Sequence, residues 1–104
     1  MSESKVHPFC FGDNISIKNV DNLIPELDQY INSNKNIRVI FDMSNVLICD
    51  SYGITLLLQC YRKAEKIKKE LLLYKLQPFL YNLLNNCGLL KIFTIVDDLD
   101  EIKM

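Results

Sequence analysis

Apolar and polar positions alternate along this chain with a period that changes from segment to segment, and each change predicts an element. From Val20 the apolar residues fall at 20, 23, 24, 27, 30 and 31, the spacing of one helix face, and the polar residues Asn32, Ser33, Asn34 and Asn36 end it. Pro25 sets the start near Asp21 or Asn22, because a proline beyond the first turn removes a backbone bond at a cost of about 3 kcal/mol. Residues 38–43 carry Val39, Ile40 and Phe41 in a row, the mark of a strand covered on both faces and therefore central. After a turn at Ser44 and Asn45, an extended apolar stretch over 46–49 leads to Asp50. There the period switches to that of a helix running to about Lys69, with Ile54, Leu57, Leu58, Tyr61 and Ala64 inward and Thr55, Gln59, Arg62, Lys63 and Lys66 outward.

Residues 71–76 predict the next strand, and Gln77-Pro78 opens a helix with Leu80, Leu83, Leu84 and Cys87 on one side and Gly88 as its stop. Residues 92–96 predict a last strand, followed by a short helix from the acidic Asp97 and Asp98 through Ile102. At the other end, residues 6–11 predict a short strand, placed at a sheet edge because Pro8 removes a ladder donor. Strands alternating with helices imply an α/β fold with a small, mainly parallel or mixed sheet of four to five strands and right-handed crossovers.

Composition narrows the functional classes. The 104 residues suit one domain over 1–104, and 49% hydrophobic with 24% charged residues suits a folded core rather than disorder. Twelve Lys plus Arg against 13 Asp plus Glu give a net charge of -1, which argues against nucleic acid as the main partner. The apolar runs at 54–58 and 71–74 fall far short of the roughly 20 residues that span a bilayer, and residues 1–8 lack the pattern of an export signal. A soluble, cytoplasmic protein is expected. The four cysteines at 10, 49, 60 and 87 are too widely spaced for a zinc site, with His7 the only histidine, and are expected to be reduced and half-buried.

Signatures of catalysis are missing: the chain has no phosphate-cradling glycine loop, no GxGxxG and no nucleophile elbow. Neither a catalytic residue, a cofactor nor a metal is predicted. Asp42 at a strand end lacks the acidic partners that a phospho-accepting aspartate needs to hold a divalent cation, and reads as a turn residue. What remains is Asp50-Ser51-Tyr52-Gly53 at a helix start. Either Asp50 or Ser51 can cap the helix, and the Ser51 hydroxyl, beside unpaired amides at a positive helix end, is a place where a phosphate can sit without unfolding it.

These residues resemble the STAS domains, found in bacterial anti-sigma factor antagonists, stressosome proteins, some lipid-transport ABC systems and anion-transporter tails. The resemblance rests on Val39-Ile40-Phe41-Asp42-Met43-Ser44 followed by Ile48-Cys49-Asp50-Ser51-Tyr52-Gly53, similar to the family's apolar strand, D-x-S turn and D-S-x-G loop. Downstream, the apolar strand over 71–74, Gln77-Pro78 and Gly88-Leu89-Leu90-Lys91-Ile92-Phe93 follow in the family's order. Tyr52 departs from it, standing where a small Ser or Thr is common, and Lys68-Lys69 replaces a turn that usually contains glycine.

The resemblance implies a non-enzymatic anti-sigma factor antagonist in sigma factor regulation. It would bind an anti-sigma factor that is also a serine/threonine kinase, with Ser51 the phosphorylated residue. The contact face expected from this comprises Asp50, Tyr52, Gly53, Thr55, Gln59 and Arg62. The alternatives are a regulatory subunit on the ATPase of a lipid-transport ABC system and a stressosome-type scaffold.

Overall fold

A computed structural model of the chain describes residues 7–33 and 38–98. The elements run β1 (Phe9–Cys10), α1 (Val20–Ile31), β2 (Arg38–Asp42), α2 (Ser51–Lys66), β3 (Glu70–Tyr74), α3 (Pro78–Asn86), a 3₁₀ turn at Leu90–Ile92, and β4 (Thr94–Val96). All pairings are parallel, in the order β1-β2-β3-β4, so the predicted α/β alternation and parallel sheet are observed. Each connection steps one strand in the same direction, and right-handed crossovers then place every helix on one face of the sheet.

Packing agrees with that placement. Val39 and Phe41 of β2 and Leu71 and Leu73 of β3 join Leu27 and Ile31 of α1, Leu57 and Ala64 of α2, and Leu80 and Leu84 of α3 in one core. Ile40, Leu72 and Val96 form a second, smaller buried cluster with Tyr74 on the opposite face. Burial on both faces is why β2 and β3 read as unbroken apolar runs. The edge strand β1 is held by aromatic packing, with Phe9 and Phe11 at 5.1 Å and Phe11 and Phe41 at 5.3 Å between ring centroids. The Tyr30 hydroxyl of α1 ties it to β2, accepting from the Ile40 N–H at 3.2 Å and lying as donor 2.6 Å from the His7 carbonyl and 3.1 Å from that of Ile40.

Several boundaries differ from expectation. Helix α1 begins at Val20, so Pro25 lies in its second turn. A turn started by Ser16 carries the chain into the helix earlier, with the Asn19 and Val20 amides both donating to the Ser16 carbonyl at 3.0 Å. The carbonyl of Asp21, which Pro25 leaves without its helical donor, belongs to an exposed residue that water can reach. Helix α2 ends at Lys66 rather than Lys69, because Lys68 takes a left-handed conformation at φ 63°. The Lys69 and Lys68 amides then donate back to the Ala64 and Glu65 carbonyls at 2.8 and 3.0 Å, a Schellman closure without glycine. The Lys69 ammonium in turn donates to the Ile31 and Ser33 carbonyls at 2.7 and 2.6 Å, tying this turn to the end of α1.

At the far end, Ile92, expected to begin the last strand, ends the 3₁₀ turn instead, and β4 starts at Thr94. Val6, part of the expected first strand, and the expected terminal helix beyond Asp98 lie outside the described residues. The four cysteines are free, but evenly half-buried they are not: Cys49 and Cys60 are buried while Cys10 and Cys87 are exposed. Burial pushes both inner thiols up to about 12.

Candidate functional site

The junction between β2 and α2 is built by side chains that satisfy loop amides. Asn14 Oδ1 accepts from the Leu47 and Ile48 N–H groups at 2.8 and 3.1 Å, and its own carbonyl accepts from Asn19 Nδ2 at 2.7 Å. Asn45 Nδ2 donates to the Phe11 carbonyl at 3.2 Å, and Ile15 bridges to Cys49 in parallel. The loop after β1 and the loop before α2 therefore form one surface. At its root, Asp42 Oδ1 accepts from the Ser44 N–H at 3.0 Å and from the Ser44 hydroxyl at 2.7 Å, the turn role expected of it. Desolvation raises the Asp42 pKa, but these bonds, the Cys10 thiol and the nearby Lys75 charge outweigh it and the net shift is downward.

Asp50 caps α2. Its Oδ1 accepts from the Gly53 N–H at 3.0 Å and its Oδ2 from the Ile17 N–H at 3.0 Å. Led by the Ile17 bond and then the Gly53 bond, these contacts hold the carboxyl below the ordinary aspartate range. Of the two capping candidates, Asp50 has the role and Ser51 does not. Ser51 is the first residue of the helix and exposed, and among the described residues its hydroxyl makes no hydrogen bond. Only its carbonyl is engaged, accepting from the Thr55 hydroxyl at 2.9 Å.

The other expected contact residues separate into two groups. Tyr52, Thr55, Gln59 and Arg62 are exposed at helical spacing along one side of α2, and the first three border a small groove against Val20 and Ile24 of α1. Gly53 is buried instead. A Cβ there would stand 2.2 Å from Cys49 Sγ and 2.8 Å from the Ile15 carbonyl, so glycine is what lets α2 start against the β1 loop. It lies beneath the exposed side chains of this side of α2. The core stripe of α2 is also turned from the expected one: Leu56 and Cys60 are buried, whereas Ile54, Leu58 and Tyr61 are half-buried.

Three further features escaped the sequence reading. Ile17, Leu47 and Ile48 are 56%, 56% and 53% exposed, forming with the 54%-exposed Tyr52 an apolar rim around the start of α2. A cleft of about 320 Å³ opens beside Ser51, walled on its far side by Leu83 of α3 and by Cys87, which follows that helix. Asn14, the clamp between the loops, carries no signal in sequence beyond a polar residue near a glycine. No group of three or more His, Cys, Asp or Glu side chains able to hold a metal occurs among the described residues, and no helix among them is long and apolar enough to cross a membrane.

This geometry can be set beside known proteins. The STAS domain profile matches residues 9–102. The chain belongs to the STAS domain family. Among solved structures, this STAS domain is similar to a sulfate transporter family protein from Wolinella succinogenes, with a TM-score of 0.77 and 24% identity over 93% of this chain and 84% of that one. It is also similar to a candidate anti-sigma factor antagonist of Thermotoga maritima, with a TM-score of 0.73 and 18% identity over 86% of this chain and 76% of that one. The anti-sigma factor antagonist SpoIIAA, in its unphosphorylated form, aligns with a TM-score of 0.65 and 15% identity over 88% of this chain and 79% of its own. A search of curated proteins by sequence found no significant match. At these identities the neighbours establish a shared fold; the activity has to be argued from the site.

Proposed function

We propose that this STAS domain is an anti-sigma factor antagonist, a non-enzymatic module that binds an anti-sigma factor with serine kinase activity and is released when Ser51 carries a phosphate. The observation that carries the reading is the division of labour at the start of α2. Asp50 performs the capping, which leaves the Ser51 hydroxyl exposed, uncommitted and at the positive end of a 16-residue helix. A phosphoserine adds about -1.5 to -2 charges there, an addition the helix dipole favours, so the fold survives the modification. A partner surface packed on the rim of Ile17, Leu47, Ile48 and Tyr52 must desolvate that dianion. A penalty of roughly 3 kcal/mol lowers affinity more than a hundredfold, enough for a switch.

Tyr52, Thr55, Gln59 and Arg62 supply the rest of the contact face, with Tyr52 as an aromatic anchor. Thr55 is the less suitable phosphate acceptor of the two exposed aliphatic hydroxyls on this turn, since its hydroxyl is bound to the Ser51 carbonyl. ATP and sigma factors place this activity in the bacterial cytoplasm. The test is to present wild-type, Ser51→Ala and Ser51→Asp chains to source lysate and identify what binds. Retention of an ATP-dependent serine kinase by wild type and Ser51→Ala, and its loss with Ser51→Asp, supports the reading. Equal retention by all three removes the switch.

The likeness to the sulfate transporter family protein favours a second reading, a regulatory domain on a membrane transporter, an ABC ATPase among its possible partners. Recovery of a transporter component instead of a kinase, indifferent to Ser51→Asp, would establish it.

A further inference from the structure

We propose that two copies of this chain pair along β1, edge to edge and antiparallel, with Cys10 opposite Cys10 of the second copy on a two-fold axis. β1 is an outer strand of the sheet, bonded to β2 on one side only. Phe9 and Phe11 direct their backbone groups to β2, where the Phe11 N–H donates to the Asp42 carbonyl at 3.5 Å. Backbone groups alternate in direction along a strand, so those of Pro8, Cys10 and Gly12 face the open side. Among the described residues no strand meets them there, and the Pro8 carbonyl has only a 4.0 Å contact from the Cys10 thiol. The chain runs without a bend from His7 to Gly12, and a hollow of about 690 Å³ opens beside this edge, between residues 7–10 and the flank of α1. An uncovered edge of this kind is a template for another strand.

Charge, backbone and side chains commit the edge to a second copy. Residues 7–12 contain no Lys, Arg, Asp or Glu, so the charged side chains that ordinarily keep like edges apart are missing. The positions are also self-complementary. With Cys10 opposite its equivalent, the two residues exchange both N–H···O=C bonds, and each Gly12 N–H meets the Pro8 carbonyl of the other copy. Pro8, which has no N–H to offer, thus stands opposite the glycine of the segment, where nothing lies within 4 Å of the place a Cβ would take. Sliding the register one way sets Cys10 against proline and loses a donor. Sliding it the other way carries the pairing past Asp13, where the chain bends. Phe9, half-buried and packed on Phe11, comes to lie across from Phe11 of the second copy, so its remaining ring surface is covered on pairing. The part of the hollow that α1 lines, with Glu26, Gln29 and Ser33, is polar and stays a hydrated rim, so the strands rather than the helices carry the contact.

The experiment uses the full chain. Light scattering behind size exclusion is expected to give twice the 12.1 kDa of one chain at high micromolar concentration. Cys10→Lys sets two like charges face to face on the axis without touching the β2 ladder, and is expected to give the mass of a single chain. If Cys10→Lys does not fold, as judged by circular dichroism, disulfide trapping reads the same point, because the Cα atoms of a directly opposed bonded pair stand about 5.5 Å apart, within disulfide reach. Diamide takes up the two electrons and two protons that the thiols release. It is expected to link Cys87→Ser through Cys10 roughly tenfold faster than it links Cys10→Ser through Cys87, although desolvation and the nearby Asp42 carboxylate push the Cys10 thiol up. A single-chain mass at every concentration, a dimer that survives Cys10→Lys, or linkage no faster through Cys10 than through Cys87 overturns the pairing. So does growth beyond two chains, which marks β1 set against the β4 edge of the next copy.

Discussion

The carboxylate of Asp50 lies 3.0 Å from the backbone nitrogen of Ile17, joining the loop after β1 to the helix that carries Ser51. The same side chain caps that helix through Gly53, so one ionised group fixes both halves of the proposed contact face. Its pKa is lowered in the folded chain, which sets the sign of the pH dependence. Stability from this group is complete above the unfolded aspartate value of about 3.9 and is lost as pH falls through the lower folded value. Asp50→Asn keeps a capping oxygen but no charge. It is expected to flatten the acid limb of a melting-temperature profile taken below about pH 5, and an unchanged limb would show that the carboxylate is not acting in this way.

Gly53 makes the second prediction. Gly53→Ala drives a methyl group into Cys49 Sγ and the Ile15 carbonyl, and should destabilise the chain by about 1–3 kcal/mol in urea unfolding despite alanine's better helix propensity. Combining it with Cys49→Ala removes the nearer of the two clashes and is expected to recover part of the loss. The carbonyl contact remains, so full recovery would contradict the geometry.

Lys68 offers the opposite sign. It is exposed with φ 63°, a conformation that disfavours any side chain, and Lys68→Gly is expected to stabilise the chain by about 0.5–1 kcal/mol after the extra freedom of the unfolded glycine is counted. Gly88 closes α3 at φ 73° with open space around it, so Gly88→Ala should cost about 1 kcal/mol through backbone strain alone. Both are read by denaturant midpoints at constant slope.

The cysteines separate by environment. Two thiols, Cys10 and Cys87, should react with an aromatic disulfide reagent in the native state, and Cys49 and Cys60 only on unfolding, given their burial and values near 12. Four fast thiols in the native protein would contradict the packing of α2 against the sheet.

Much of this fold was legible in the sequence because its signals are local. The run Val39-Ile40-Phe41 announced a central strand, Pro78 and Gly88 bracketed α3, and the strand and helix periods gave the parallel sheet. Boundaries were misread where a distant group decided them. Pro25 sits one or two residues deeper in α1 than expected because the Ser16 turn starts the helix early, and Lys68 closes α2 where glycine is the usual signal. The site divides the same way. Ser51 and its position on the helix were readable from the Asp50-Ser51-Tyr52-Gly53 motif. Which of Asp50 and Ser51 caps was not, since Asp50 is recruited by Ile17, 33 residues away in sequence. Gly53 looked like a surface loop residue for a similar reason: its neighbours Ile15 and Cys49 meet only once the two loops pair. Nothing local brings Leu83 and Cys87 to the side of Ser51.

The most direct test is what a phosphate does at Ser51. Incubated with ATP and the proposed partner kinase, the wild-type chain should gain the mass of one phosphate and the Ser51→Ala chain none. The phosphorylated chain should then melt as a folded protein yet bind the kinase at least a hundredfold more weakly than the unmodified chain. A modified Ser51 that leaves affinity unchanged, or a phosphate that lands elsewhere on the chain, would contradict it.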